Sequence, residues 1–249
     1  MKPICTLLVA FFVASSLCAQ VSEIKSASES NSSKSGSGNS DSGSGGVGGG
    51  GFFLDFMFDV FIGGQVTKLR NDRERYPSMV SLDVMFQGAV KPSSYYILWP
   101  RIRGNWGLFS TDFRMNYLIE EGIDGYVHIR TNDWQVLQLN LVTSRFFTFR
   151  LGTGFMQEAF GDKRNFSESA FMLFVHAPDQ TKSLGFEYRF SKDWNTGANP
   201  RREFSVQYQH QLFEAGKLHA YATVGGVYQK YYNTIEVWGI QGGLVLRLF

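Results

Sequence analysis

Residues 51–249 alternate between hydrophobic and polar side chains with a period of two, which is the side-chain period of a β-strand. Helical spacing of hydrophobic residues does not compete with this pattern in any segment of the region. We therefore predict one all-β domain over residues 51–249. The segments predicted to be strands are 52–62, 80–87, 109–117, 137–141, 147–155, 168–175, 184–190, 204–212, 218–229 and 233–249.

The alternation leaves open which face of each strand points inward, because a soluble β-sandwich and a membrane β-barrel both repeat every two residues. Segment length favours the barrel, since many of the segments run about 9 to 13 residues and about 9 to 11 tilted residues cross a bilayer. The hydrophobic face is rich in Phe and Leu, and aromatic residues that suit the membrane interface cluster near segment ends. These aromatic residues are Tyr95, Tyr96, Trp99, Trp106, Trp134, Tyr231 and Tyr232. A secreted soluble β-protein is the alternative.

The connections between the segments alternate between long and short, as in membrane barrels with long outer loops and short periplasmic turns. This order predicts an antiparallel up-and-down transmembrane β-barrel of about ten strands, with eight or twelve as alternatives. It requires that residues 95–109 do not form a complete strand, and Pro100 supports this because proline is disfavoured inside a paired strand. The long connections are 64–77, 119–132, 157–166 and 191–201, and the short ones are 91–94, 143–145, 177–182 and 214–217.

The last segment places hydrophobic residues on one face, small or polar residues on the other, and ends on Phe249. The hydrophobic face carries Trp238, Ile240, Leu244, Leu246 and Leu248, and the other face carries Gln241, Gly243 and Arg247. This segment resembles the C-terminal strand of bacterial outer-membrane β-barrel proteins. The resemblance is architectural and covers residues 51–249. It implies a Gram-negative cell outer membrane location, contact with outer-membrane lipid, and insertion by the barrel-assembly machinery.

Residues 1–19 have the features of a signal peptide: Lys2 near the start, a hydrophobic run over residues 7–13, and a possible cleavage site near Ala19. The alternative to cleavage near Ala19 is that Cys18 becomes a lipidated N-terminus. Both cysteines of the chain, Cys5 and Cys18, lie in this segment. The processed chain is therefore predicted to contain neither a disulfide nor a thiolate metal site.

Residues 20–50 consist mainly of Ser, Gly, Asn and Lys, with few hydrophobic residues. Such a composition buries too little surface to offset the entropy cost of ordering the segment. We predict a disordered Ser/Gly-rich linker that lies in the periplasm.

The charges of the predicted barrel lie on the face opposite the hydrophobic residues, which would be the inner face. The first interpretation is that these charged side chains pair with one another and, together with water, plug the lumen. The second is that they line a polar path for ions or a small solute. The inward charged residues would be Asp55, Asp59, Asp83, Asp112, Arg114, Arg150, Glu187 and Arg189, with Arg101 and Arg103 nearby. The near-neutral overall charge, +2 for the full chain, gives no indication of a nucleic-acid partner.

No catalytic, cofactor-binding or metal-binding residue is assigned from the sequence. None of the four histidines, His128, His176, His210 and His219, begins the His-x-Ser pair carried by outer-membrane phospholipases, and their spacing does not suggest a metal site. Two charged segments, 68–75 and 120–132, are candidate contact surfaces.

We therefore predict a non-enzymatic outer-membrane β-barrel that acts as a structural or interaction protein, or as a subunit of an envelope assembly with other envelope proteins. A narrow outer-membrane channel and a lipid-acting barrel enzyme are the alternatives.

Overall fold

A computed structural model describes residues 20–34, 80–91, 94–122, 125–144, 146–161 and 163–249. Within these residues, one helix, α1 (Gln20–Lys34), precedes ten strands. The strands are β1 (Val80–Lys91), β2 (Tyr95–Trp106), β3 (Phe109–Gly122), β4 (Gly125–Thr143), β5 (Phe147–Glu158), β6 (Arg164–His176), β7 (Lys182–Lys192), β8 (Arg201–Ala215), β9 (Leu218–Tyr231) and β10 (Ile235–Leu248).

The ten strands form a closed barrel in which each strand pairs antiparallel with its neighbours in sequence. β1 and β10 close the barrel, with a register that runs from Leu82↔Leu248 to Val90↔Ile240. The predicted all-β, up-and-down barrel of ten strands is therefore confirmed. Because the strand count is even, β1 begins and β10 ends at the same end of the barrel, which we call the terminal end.

The barrel has a hydrophobic exterior and a polar interior, which is the reverse of a soluble β-protein. In β1, the outward Phe86 is 58% exposed, whereas the inward Asp83 is fully buried. The same alternation continues along β10, where Leu244 is exposed and Gln241 is buried. The predicted assignment of hydrophobic and polar faces therefore agrees with the structure.

Residues 95–106 form a complete strand, so the prediction that this segment contributes none is wrong. The strand tolerates Pro100 because its pairing with β3 passes from Leu98↔Tyr117 directly to Arg101↔Arg114, with no pair at the proline. The register is unchanged across this gap, so the missing N–H group costs one local interaction. The strand predicted at 52–62 lies outside the described residues.

The predicted long loop at 119–132 is also wrong. β3 continues to Gly122 and β4 begins at Gly125, so most of this segment forms a hairpin. β4 has 19 residues and pairs with β5 only as far as Thr131↔Glu158. Beyond that pair, the β3–β4 hairpin extends past the neighbouring strand β5, at the end opposite the terminal end.

Residues 20–34 form helix α1, where the sequence suggested a disordered linker. Val21 and Ile24 are fully buried in a cluster that includes Tyr95, Trp99 and Tyr231 of the barrel wall. The composition of the helix is polar, but the barrel supplies a hydrophobic ring that covers these two side chains. We call this end of the barrel the helix end.

The rest of the predicted linker and signal peptide lies outside the described residues. Among the described helices, none is long and hydrophobic enough to cross a membrane.

Substitution of two adjacent glycines in β9 tests how closely β8 and β9 pack in the barrel wall. A Cβ atom at Gly225 would lie 1.9 Å from the Val206 carbonyl oxygen, whereas the nearest atom to a Cβ at Gly226 would be 3.8 Å away. We expect Gly225→Ala to destabilise the barrel by about 1 to 3 kcal/mol, because the β8–β9 ladder must shift, and Gly226→Ala to change stability little. Thermal unfolding of both variants in detergent micelles measures this difference. Equal stability of the two variants would contradict the close approach of β8 and β9 at Gly225.

Candidate functional site

The centre of the lumen contains a cluster of charged side chains around Asp112 and Glu187. Asp112 accepts hydrogen bonds from three arginines: Arg101, Arg103 at 3.1 Å and Arg189 at 2.9 Å. Glu187 accepts from Arg101 at 2.8 Å and from Arg189. These five residues lie on β2, β3 and β7, whose alternation turns their side chains inward.

A second cluster lies closer to the helix end. Arg114 donates to Asp133 at 2.7 Å and to Glu203 at 2.5 Å. Arg201 donates to the same Asp133 at 2.6 Å and to Glu168 at 2.9 Å. Arg189 lies 3.5 Å from Glu168, which connects the two clusters into one network. We call the ten residues of the two clusters the lumen network.

The lumen network joins opposite walls of the barrel. In a closed ring of ten strands, strands five positions apart lie across the lumen from each other. Arg101 of β2 contacts Glu187 of β7, and Arg114 of β3 contacts Glu203 of β8, so both pairs cross the lumen. Every side chain of the network is at most 5% exposed. The lumen is therefore filled by protein at these two levels.

The energetic cost of this burial explains the dense pairing. Removing one charge from water costs several kcal/mol, and only close partners with good hydrogen-bond geometry offset that cost. The guanidinium group suits this role because its planar fork can bind two carboxylates at once, as Arg114 and Arg201 do. The pairing predicted for Asp83, Asp112, Arg114, Glu187 and Arg189 is present, with Asp83 held by Arg247 at 2.8 Å.

Helix α1 is held at the helix end by polar contacts as well as by its two buried hydrophobic residues. The backbone N–H groups of Gln20 and Val21 donate to the two carboxylate oxygens of Glu120, at 3.0 and 2.9 Å. These are first-turn N–H groups, which have no partner inside the helix, and the negative charge also suits the positive end of the helix dipole. Glu120 therefore acts as an N-terminal cap supplied by the barrel wall.

The middle of α1 is fixed by a second polar cluster. The Ser28 hydroxyl donates to Glu158 at 2.8 Å, and Arg164 donates to the Ser28 carbonyl oxygen at 2.8 Å. The Tyr232 hydroxyl donates to Glu158, and burial together with the adjacent Glu158 carboxylate raises the pKa of Tyr232 well above its usual value. The helix and the β5–β6 and β9–β10 connections are thus joined by one set of buried hydrogen bonds.

The four histidines are distributed around the barrel and do not form a common site. His128 and His210 lie on the exposed side of the wall, and His219 lies 3.8 Å from Glu214 near the terminal end. His176 lies 3.2 Å from the Thr148 hydroxyl inside the terminal end. Among the described residues, no group of three His, Cys, Asp or Glu side chains is placed to hold a metal ion.

Four charged members of the lumen network, Asp133, Glu168, Arg201 and Glu203, were missed by the sequence interpretation. The signal for Asp133 was obscured by a register shift between Trp134 and Leu137, which breaks the period-two pattern of β4. The sequence predicts a loop at 119–132, and nothing in it indicates that Glu120 binds the helix. Arg150 lies inside as predicted, but the predicted pairing is wrong for it, since no carboxylate of the described residues binds it. Asp55 and Asp59, also predicted to point inward, lie outside the described residues.

Comparison with known proteins gives no family for this chain. No protein-family model matches it, and no curated protein matches it significantly.

Asp112→Asn tests the lumen network. The substitution removes the negative charge shared by three buried guanidiniums, and we expect it to lower the free energy of unfolding by about 3 to 5 kcal/mol. Asp179→Asn is the matched control, because Asp179 lies in an exposed turn. Equilibrium unfolding in detergent micelles gives both values. A loss for Asp112→Asn no larger than that of the control would contradict the role of the network.

Glu120→Ala tests the attachment of α1. We expect the helix to lose about 1 kcal/mol of local stability, because two N–H groups lose their acceptor, while the barrel remains folded. Hydrogen exchange of residues 21–34 should accelerate several-fold. Glu121→Ala removes the adjacent exposed carboxylate and serves as the control. Unchanged exchange in Glu120→Ala would show that Glu120 does not hold the helix.

Proposed function

We propose that this chain is an outer-membrane β-barrel protein with a closed lumen, acting as a structural or interaction protein of the cell envelope. The observation that carries the proposal is the pair of ion-paired contacts across the lumen, Arg101–Glu187 and Arg114–Glu203. If the lumen is closed at these levels, the exterior and the two ends of the barrel are the surfaces that can contact other molecules.

The exterior fits a bilayer in height. On β2, the outward Tyr96 and Trp106 are ten residues apart, with the exposed Leu98 and Ile102 between them. Ten residues span roughly 33 Å along a strand, and a tilt of about 35 to 45° reduces this to roughly 25 Å along the membrane normal. This is about the height of the hydrophobic band on outer-membrane barrels, with aromatic residues at both borders.

The helix end is the surface we propose for contacts with envelope partners. If the C-terminal strand ends on the periplasmic side, as the resemblance implies, α1 and the β3–β4 hairpin lie on the outer side. Residues 20–34 would then lie outside, and the predicted periplasmic linker would not include them. The hairpin presents the exposed Tyr126 and Val127 on a strand that is paired with β3.

Planar-bilayer recording tests the closed lumen. We expect the purified full chain, inserted into the bilayer, to show no discrete conductance steps, because charged side chains fill the lumen at two levels. Co-flotation of the protein with liposomes establishes insertion, and a conducting porin recorded under the same conditions establishes sensitivity. Reproducible single-channel steps from the inserted chain would overturn the proposal and favour a narrow channel.

A further inference from the structure

The terminal end of the lumen contains a pocket of about 380 Å³, counting its open mouth. The residues that matter for its chemistry are Ser81, Arg103, Thr148, Arg150, His176 and Arg247. They come from five strands on several sides of the barrel, so the pocket is a feature of the closed lumen and not a surface groove.

Three guanidiniums line this pocket. The two carboxylates beside it, Asp83 and Asp112, already accept hydrogen bonds from arginines. Arg247 binds Asp83 through two hydrogen bonds, at 2.8 and 3.2 Å. Arg103 contacts Asp112 at 3.1 Å, but Asp112 also accepts from two further arginines of the lumen network. Counting the described residues, the pocket region therefore carries more positive than negative charge.

Among the described residues, no carboxylate pairs with Arg150 of this pocket. The residue is only 9% exposed, and its Nε and Nη1 atoms are buried with no hydrogen-bond acceptor within the described residues. The Nε atom of Arg103 has no acceptor there either. Both guanidiniums lie against the ring of Phe174, at 5.8 and 6.0 Å from its centroid. The ring contacts both groups but cannot neutralise their two positive charges, so an anion would supply the missing acceptors.

We propose that this pocket binds a small oxyanion of the phosphate type between Arg150, Arg103 and Arg247. A phosphate group matches the guanidinium fork, because two of its oxygens can accept parallel N–H donors. The neighbouring Ser81 and Thr148 hydroxyls supply further polar contacts at the pocket wall. Two kinds of molecule could supply the phosphate group, free inorganic phosphate and a lipid headgroup. The lipid is included because the pocket opens at the end of the barrel wall.

Titration of the full chain in non-ionic detergent micelles tests the proposal. Inorganic phosphate is added to phosphate-free buffer, with chloride at equal ionic strength as the control for screening, and the unfolding temperature is measured. We expect saturable stabilisation by phosphate beyond that by chloride. Arg150→Gln should weaken phosphate binding at least tenfold, and Arg150→Lys should weaken it less, because it keeps the charge but loses the fork. Arg130→Gln, the same change at an exposed position, should leave binding unchanged.

Folding of the key variant is checked in the same experiment. Without phosphate, Arg150→Gln should be at least as stable as the unaltered chain, because it removes an unpaired buried charge. A second titration uses dihexanoyl phosphatidic acid, with dihexanoyl phosphatidylcholine as its control. Stabilisation by phosphatidic acid but not by inorganic phosphate, dependent on Arg150, would identify a lipid headgroup as the source. Stabilisation by neither probe, or equal stabilisation of Arg150→Gln and the unaltered chain, would overturn the proposal.

Discussion

The structure depends on the requirement that charges enclosed in a narrow lumen be neutralised by one another. The wall turns every second side chain inward, and a hydrophobic exterior forces the polar residues into that interior. Because the lumen of a ten-stranded barrel is narrow, guanidiniums from one wall reach carboxylates on the opposite wall, as Arg114 reaches Glu203. The network thus fills the interior at two levels and joins opposite walls through the same contacts.

The two ends of the barrel differ in how this requirement is met. At the helix end, α1 covers the lumen with two hydrophobic side chains and brings polar groups that pair with Glu120 and Glu158. At the terminal end, no described segment covers the opening, and no carboxylate of the described residues pairs with Arg150. The asymmetry gives the molecule one end that is covered by α1, which we propose for contacts with partners, and one end where the described residues carry a local excess of positive charge.

The fold could be predicted from the sequence to the extent that period-two alternation persists along each strand. Asp112 and Arg114 were placed inside correctly because β3 alternates there without interruption. The pattern failed where local geometry changed its phase: Trp134, Val136 and Leu137 are all exposed because β4 has a register shift among them. It failed for α1 for a different reason. The burial of Val21 and Ile24 depends on a hydrophobic ring formed by distant strands, and no local pattern in residues 20–34 encodes that ring.

The central claim, a hydrophobic exterior around a closed polar interior, is tested most directly by the reactivity of two adjacent single cysteines in β10. Ile240 is 56% exposed on the outer face and Gln241 is 3% exposed in the lumen, and neither the helix nor the barrel contains a native cysteine. In liposomes, with a charged, membrane-impermeant thiol reagent on both sides, Ile240→Cys and Gln241→Cys should both be unreactive until the protein is denatured. Lys217→Cys in an exposed turn should react at once. Reaction of Gln241→Cys in the folded protein would show a water-filled lumen, and reaction of Ile240→Cys would show that the exterior does not face lipid.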